Sequence, residues 1–270
     1  MKETEEIDAE NRNSIWMDAV RMEMKNFMSA FDEIESPLGL EKSFKEITGH
    51  LVFDIKLGEG FRRKALWVAD GHKTPSPASV TYSTVVSRDS VRIMLLVAAL
   101  NNLDVMGVDV QNTYLNAPNR EKHWIKAGPE FGQYERKYYI VAKALYELKS
   151  AGASFRSFMA KILDNLGFRS CITDPDVWRR LAVKENGTEY YEYVMTYVDD
   201  LIAISDNAKK ILQQVADMVK LKNNKIEAPQ SYLGAKLKYK IIDGIGRWTV
   251  SCEDYVNAAI NTVEESLKKN

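Results

Sequence analysis

Two β-rich runs, residues 190–197 and 201–205, are separated only by Val198-Asp199-Asp200. A connection this short joins antiparallel strands, because parallel neighbours need a crossover of a dozen residues or more. Whatever fold the chain adopts must therefore contain a hairpin with carboxylates at its tip. Asp is an ordinary turn residue, so a wetted hairpin tip is the plainest meaning. Two adjacent carboxylates nevertheless repel, and a divalent cation removes that repulsion. A third carboxylate, Asp109, stands at the end of another Val-rich run, 105–110. If these strands are neighbours, Asp109, Asp199 and Asp200 converge on one sheet surface as a hard, oxygen-rich site suited to Mg2+. Two such ions about 3.5–4 Å apart can activate an attacking hydroxyl and steady a leaving pyrophosphate oxygen.

The rest of the chain reads as helices and strands in irregular alternation. Apolar spacing predicts helices over 14–31 (Ser14 as N-cap), 88–100 (capped by Ser87, ending at Asn101-Asn102), 150–166 (closed by Gly167), 207–219 and 253–269. Strand-like pieces fall at 51–56 and 65–69, joined through Gly58 and Gly60, and again at 138–141 and 232–242. A Pro/Ser-rich loop runs over 74–79. The absence of a regular βαβ rhythm favours an α+β fold.

Composition narrows the class. The 270 residues are 45% hydrophobic and 28% charged, which suits a globular core and excludes a disordered or fibrous chain. The longest apolar run, 93–100, is far short of the roughly 20 residues of a membrane-spanning helix, so no membrane partner is expected. The opening Met1-Lys2-Glu3-Thr4-Glu5-Glu6 is not a secretory signal. Cys171 and Cys252, with three histidines, build neither a disulfide framework nor an ordinary zinc site, so a reducing, intracellular setting is the default. The net charge of -1 hides an acidic excess in residues 1–60 and a basic excess beyond, clustered at Arg62-Arg63-Lys64, Arg136-Lys137, Lys209-Lys210, Lys220/Lys222/Lys225 and Lys236/Lys238/Lys240. Such clusters suit a phosphate backbone and solvated surface equally.

A series of ordered motifs adds specificity. It runs Trp16-Met17-Asp18-Ala19 with Glu23, then Lys64-Ala65 with Val68-Ala69-Asp70-Gly71-His72, then Tyr82-Ser83-Thr84-Val85-Val86-Ser87-Arg88. Asp109-Val110-Gln111-Asn112-Thr113-Tyr114-Leu115-Asn116-Ala117 and Ala127-Gly128-Pro129-Glu130-Phe131-Gly132 follow. Leu145-Tyr146-Glu147-Leu148-Lys149-Ser150, Asp174-Pro175-Asp176-Val177-Trp178, Tyr197-Val198-Asp199-Asp200-Leu201 and Tyr232-Leu233-Gly234 complete it. In this order and spacing, over nearly the whole chain, the motifs resemble the reverse transcriptase of copia-type (Pseudoviridae) LTR retrotransposons.

The resemblance implies a right-hand polymerase. An acidic extension at 1–13 would precede fingers at 14–105 and a palm at 106–245, with a strand and helix at 246–270 beginning a thumb or connection. It implies an RNA- and DNA-directed DNA polymerase that adds deoxynucleotides to a primer 3′-hydroxyl with two Mg2+ ions, for which Mn2+ can substitute. Asp109 and Asp199 would ligate both metals, helped by the Val110 carbonyl, with Asp200 completing the triad. Tyr114 matches the position that packs against the incoming sugar and excludes a 2′-hydroxyl, although a core tyrosine is its ordinary meaning. Tyr232-Leu233-Gly234 resembles the primer grip, against the plain alternative of a strand. Implied partners are template with primer, deoxynucleoside triphosphates, and the integrase and ribonuclease H domains of a polyprotein of which this chain is a portion. The implied setting is a cytoplasmic virus-like particle.

Two departures bear on activity. The family has Lys-Ala-Arg in the fingers, where the Arg can contact the triphosphate; Leu66 stands in its place, leaving Arg62, Arg63 or Lys64 to supply the cation. The family also favours Leu-Tyr-Gly-Leu-Lys, and Glu147 stands in place of the Gly. If that position has positive φ, Glu147 introduces strain. A nucleic-acid-binding remnant that has lost its chemistry is the rival to an active polymerase.

Overall fold

The computed structural model describes residues 2–56, 60–78 and 80–268. Gly58, Ser79 and Lys269, each named in an expected turn, loop or helix, lie outside the described residues. In chain order the elements are α1 (Lys2–Glu10), α2 (Ile15–Phe27), β1 (Phe31–Ile34), β2 (Lys45–Glu46), β3 (Gly49–Lys56), β4 (Arg62–Ala69) and α3 (Arg88–Leu100). There follow β5 (Asp104–Asp109), β6 (His123–Lys126), β7 (Tyr138–Val141), α4 (Ala151–Asn165), β8 (Arg169–Ser170), β9 (Val177–Val183), β10 (Glu189–Tyr197) and β11 (Asp200–Ser205). Last come α5 (Ala208–Ala216), β12 (Ser231–Tyr232), β13 (Ala235–Ile242), β14 (Ile245–Ser251) and α6 (Glu253–Lys268). The mixture of helices and largely antiparallel sheets is α+β.

The chain divides into two compact units that do not follow its order. One holds residues up to Ser83 together with Asn112–Phe158; the other holds Thr84–Gln111 and everything from Met159 onward.

In the first unit, β3 and β4 form a hairpin and β1-β7-β6-β2 form a four-stranded sheet. The helix expected over 14–31 ends sooner, at Phe27, because Phe31 starts β1 and pairs with Val141 of β7. Phe31 is worth more in the aromatic core than in a further helical turn. Its ring lies 4.9 Å from Phe27 and 5.8 Å from Phe131, and Trp67 stands 4.8 Å from Phe27. Trp67 also donates its indole N–H to Glu130 at 3.0 Å and its backbone N–H to Glu23 at 3.2 Å. Burial pushes the Glu23 carboxyl up.

The second unit is built on one five-stranded antiparallel sheet, ordered β5-β11-β10-β9-β8. Helix α3 supplies Val91, Leu95 and Ala98 to a core shared with Val105, Met195, Ile202 and Ile204 of the sheet. Its start is set as expected, by Ser87, whose side chain accepts a hydrogen bond from the Ser90 N–H. Helix α5, capped by Asn207, buries Ile211, Leu212 and Val215 on one stripe. A small sheet, β12-β13-β14, adds Tyr232 and Leu237 to the same core as α3.

Candidate active site

Strand β5 lies beside β11 with Asp109 directly opposite Asp200 and Val105 opposite Ile204. Directly paired residues of antiparallel neighbours project on one face. The Asp109 and Asp200 side chains therefore share a face, the one that buries Val105, Ile202 and Ile204 further along the same strands. Asp199 sits in the two-residue turn between β10 and β11, and its carbonyl accepts a 2.8 Å hydrogen bond from the Val110 N–H. That bond ties the hairpin tip to the end of β5. Val198, the other turn residue, has φ +52°. A β-branched residue in the left-handed region is strained, and strain of this kind persists only where the surroundings impose it.

The outer edge of β5 does not stay open. Residues 220–227 run alongside it: the Gln111 N–H donates to the Lys220 carbonyl at 2.9 Å, Val110 bridges Leu221, and the Gly107 N–H donates to the Glu227 carbonyl at 2.7 Å. This segment brings the Lys222 ammonium to 2.8 Å from Asp109 Oδ2.

Three carboxylates at one sheet end have an electrostatic signature. The Asp200 carboxyl is pushed up to about 6, first by burial, then by Asp199 and Asp109, with Lys222 acting in the opposite direction. The donor set, hard oxygens under mutual repulsion, fits a divalent cation such as Mg2+. The donors are of the right chemical kind, but among the described residues no group of three or more His, Cys, Asp or Glu is placed so that it could hold a metal ion. Lys222 supplies the positive charge nearest Asp109.

Tyr232-Leu233-Gly234 is the tight turn from β12 into β13, with φ +52° at Leu233 and +73° at Gly234. Tyr232 is 5% exposed and its hydroxyl has no hydrogen-bond partner among the described residues. Its ring lies 6.3 Å from that of Tyr197, and its phenol is raised by burial and by the nearby Asp200.

The other singled-out residues belong to the first unit. Tyr114 lies in a short 3-10 turn entered through Asn112 at φ +51°, and its ring stands edge-on to Tyr146 at 5.0 Å and Phe155 at 6.4 Å. On β4, Lys64 faces Asp54 of β3, and half-buried Leu66 faces Val52. Arg63 donates to the Phe61 carbonyl at 2.7 Å and lies over the Trp16 ring. Glu147 has φ +69° in a turn closed by the Leu148 N–H on the Leu145 carbonyl at 3.2 Å.

Lys222 is the residue that sequence reasoning did not assign to this site. Its cluster with Lys220 and Lys225 was visible, but its pairing with Asp109 bridges a long stretch of chain and has no local signal.

The sequence profile described as "Reverse transcriptase (RNA-dependent DNA polymerase)" matches residues 33–267. Among curated proteins, "Retrovirus-related Pol polyprotein from transposon RE1" of Arabidopsis thaliana is 29% identical over 160 residues, 58% of this chain and 10% of that protein. "Retrovirus-related Pol polyprotein from transposon TNT 1-94" of Nicotiana tabacum is 24% identical over 159 residues, 58% of this chain and 12% of that protein. The chain thus spans about a tenth of the length of these relatives. With the profile covering most of its length, the chain belongs to the reverse transcriptase (RNA-dependent DNA polymerase) family, as a domain of the copia type.

Proposed function

We propose that this domain extends a primer 3′-hydroxyl with deoxynucleotides on RNA and DNA templates, with the first compact unit serving as fingers, the second, which carries Asp109, Asp199 and Asp200, as palm in place of a linear division at residue 105, and 246–270 beginning a thumb or connection. The observation that carries the reading is the direct register of Asp109 with Asp200 on one sheet face, with Asp199 in the adjoining turn. Asp109, Asp199, Asp200 and the Val110 carbonyl would hold Mg2+, which when bound supplies Lewis-acid stabilisation of the attacking and leaving oxygens. Asp200 must be ionised to serve there; burial and its two carboxylate neighbours push its carboxyl up, and a bound cation would oppose that shift. Tyr114, whose ring is buttressed by Tyr146 and Phe155, would be the residue that excludes a 2′-hydroxyl from the incoming sugar. Lys64 and Arg63 offer the cations for the triphosphate, and Tyr232-Leu233-Gly234 offers a stiff turn for the primer end.

Primer extension on poly(rA)/oligo(dT) with Mg2+ or Mn2+ tests the reading. Asp109→Asn and Asp200→Asn should each abolish extension while leaving duplex binding; full activity in either variant refutes it. The second reading, a binding remnant, is favoured by two observations: Lys222 engages Asp109, and Glu147 holds positive φ. It is recognised by duplex binding without extension in the unaltered chain.

A further inference from the structure

The β13–β14 hairpin has two dissimilar faces. Its register sets Lys236 opposite Ser251, Lys238 opposite Thr249 and Lys240 opposite Arg247. Paired residues share a face, so these four cations lie together on one side of the ribbon. The other side carries Leu237, which is buried, and Trp248, which packs on the core and against Tyr239 at 5.4 Å between ring centroids.

The cationic side is electrostatically unsettled. Lys236 is matched by Asp254 of α6 at 2.5 Å. Lys238, Lys240 and Arg247 are exposed, and among the described residues no carboxylate lies within ion-pair distance of them. Like charges directly opposite each other on a ribbon, as Lys240 and Arg247 are, destabilise it. A polyanion seated on the face would reverse that penalty.

The ribbon also starts in a telling place. β13 is entered through the Tyr232-Leu233-Gly234 turn, and Tyr232 is near enough to Asp200 to feel its charge. From there the strand leads on to Lys238 and Lys240, two residues and roughly 6.6 Å apart, comparable with the step between consecutive phosphates of one nucleic-acid strand.

We propose that Lys238, Lys240 and Arg247 form a rail for the phosphodiester backbone of a primer–template duplex whose primer end lies at the Asp109–Asp200 site. The proposal rests on the polymerase reading above. A row of cations at fixed spacing on a hairpin matches a repeating anion, and its contribution is independent of base sequence.

The test is fluorescence anisotropy of a labelled primer–template duplex with the full chain, in chelator and without nucleotides, across a series of KCl concentrations. The variant combines Lys238→Ala, Lys240→Ala and Arg247→Ala, and the control combines Lys209→Ala and Lys210→Ala on α5. Circular dichroism melts establish that both are folded. Each phosphate contact contributes about 0.9 to the slope of log affinity against log salt, so the triple variant should be shallower by about 2–3 and bind at least about ten-fold more weakly at low salt. The control should keep the parent slope. A triple variant with unchanged slope and affinity overturns the rail, as does an equal loss in the control. Aggregation of the triple variant with binding unchanged also overturns it, because the cations would then only guard a sheet edge. If the parent chain binds no duplex at all, the polymerase reading falls together with the rail; if it binds and the variant binds equally, only the rail falls.

Discussion

Replacing Glu147 with glycine should make this protein more stable. Glu147 is the third residue of a four-residue turn, Leu145 to Leu148, and its φ of +69° is the value a type II turn demands there. An L-residue in the left-handed region costs about 1–2 kcal/mol, whereas glycine enters it freely but loses about 0.4–1 kcal/mol more chain entropy on folding. The balance is a gain of about 0.5–1 kcal/mol, or about 1–4 °C in Tm for a chain of this size. The side chain is exposed, so its removal forfeits little packing. The turn cannot relax instead, because Gly71 is packed against it so closely that a Cβ there would overlap the Glu147 carbonyl oxygen. Calorimetric Tm values for Glu147→Gly and Glu147→Ala check the reasoning, since alanine keeps the offending Cβ and should gain nothing. Equal stabilisation by both, or a lower Tm for glycine, refutes backbone strain as the source.

Three further outcomes are expected. Asp200 keeps its proton in the fold up to a pH of about 6, whereas its ordinary value is 3.8, so stability of chelator-treated protein should fall as pH climbs through that interval. Asp200→Asn should remove that fall, leaving the variant more stable at pH 7 by on the order of 2 kcal/mol in urea titrations, and no more stable at pH 3.5. Lys222→Met removes the charge that holds the Asp200 carboxyl down, so carboxyl NMR should find the Asp200 midpoint above its parent value; an unmoved midpoint would place the ammonium elsewhere in solution. Tyr232→Phe deletes a buried hydroxyl without a partner, and the urea midpoint should rise by the equivalent of about 1 kcal/mol; a fall would reveal a partner for that oxygen.

The parts of the fold that sequence made legible are those with local grammar. Ser87 with the apolar run after it gave α3, and apolar spacing gave α5 within the expected 207–219, because caps and helical spacing are written within a few residues. The hairpin carrying Asp199 and Asp200 was legible for the same reason, a short connection between two β-rich runs. What escaped is pairing at a distance. Strand β8 has two residues and exists only because Arg169 and Ser170 line up with Arg179 and Trp178. Strand β1 was absorbed into the preceding helix, since Phe31 continues its apolar spacing and only the partner strand β7 reveals the break. At the site, the carboxylates could be named from sequence, but their shared face depended on β5 lying next to β11, and the Lys222 contact on a segment that follows α5. The positive φ of Glu147 was foreseen only as a condition, because a backbone angle is set by the packing of the Gly71 turn against it.

The edge position of β5 has a consequence for how the protein is made. In its sheet, β5 neighbours only β11, and the segment that lines its other edge comes later still. Residue 109 therefore leaves the ribosome long before residue 200, an interval of roughly 5–20 s at about 5–20 residues per second. Throughout it, Val105, Val108 and Val110, each buried in the finished protein, have no strand to pair with. A nascent chain paused between these points presents an apolar ribbon with open hydrogen bonds, a target for holding chaperones and a template for mispairing. Slow codons placed in that interval should lower the yield of folded protein, whereas the same codons placed after residue 230 should not.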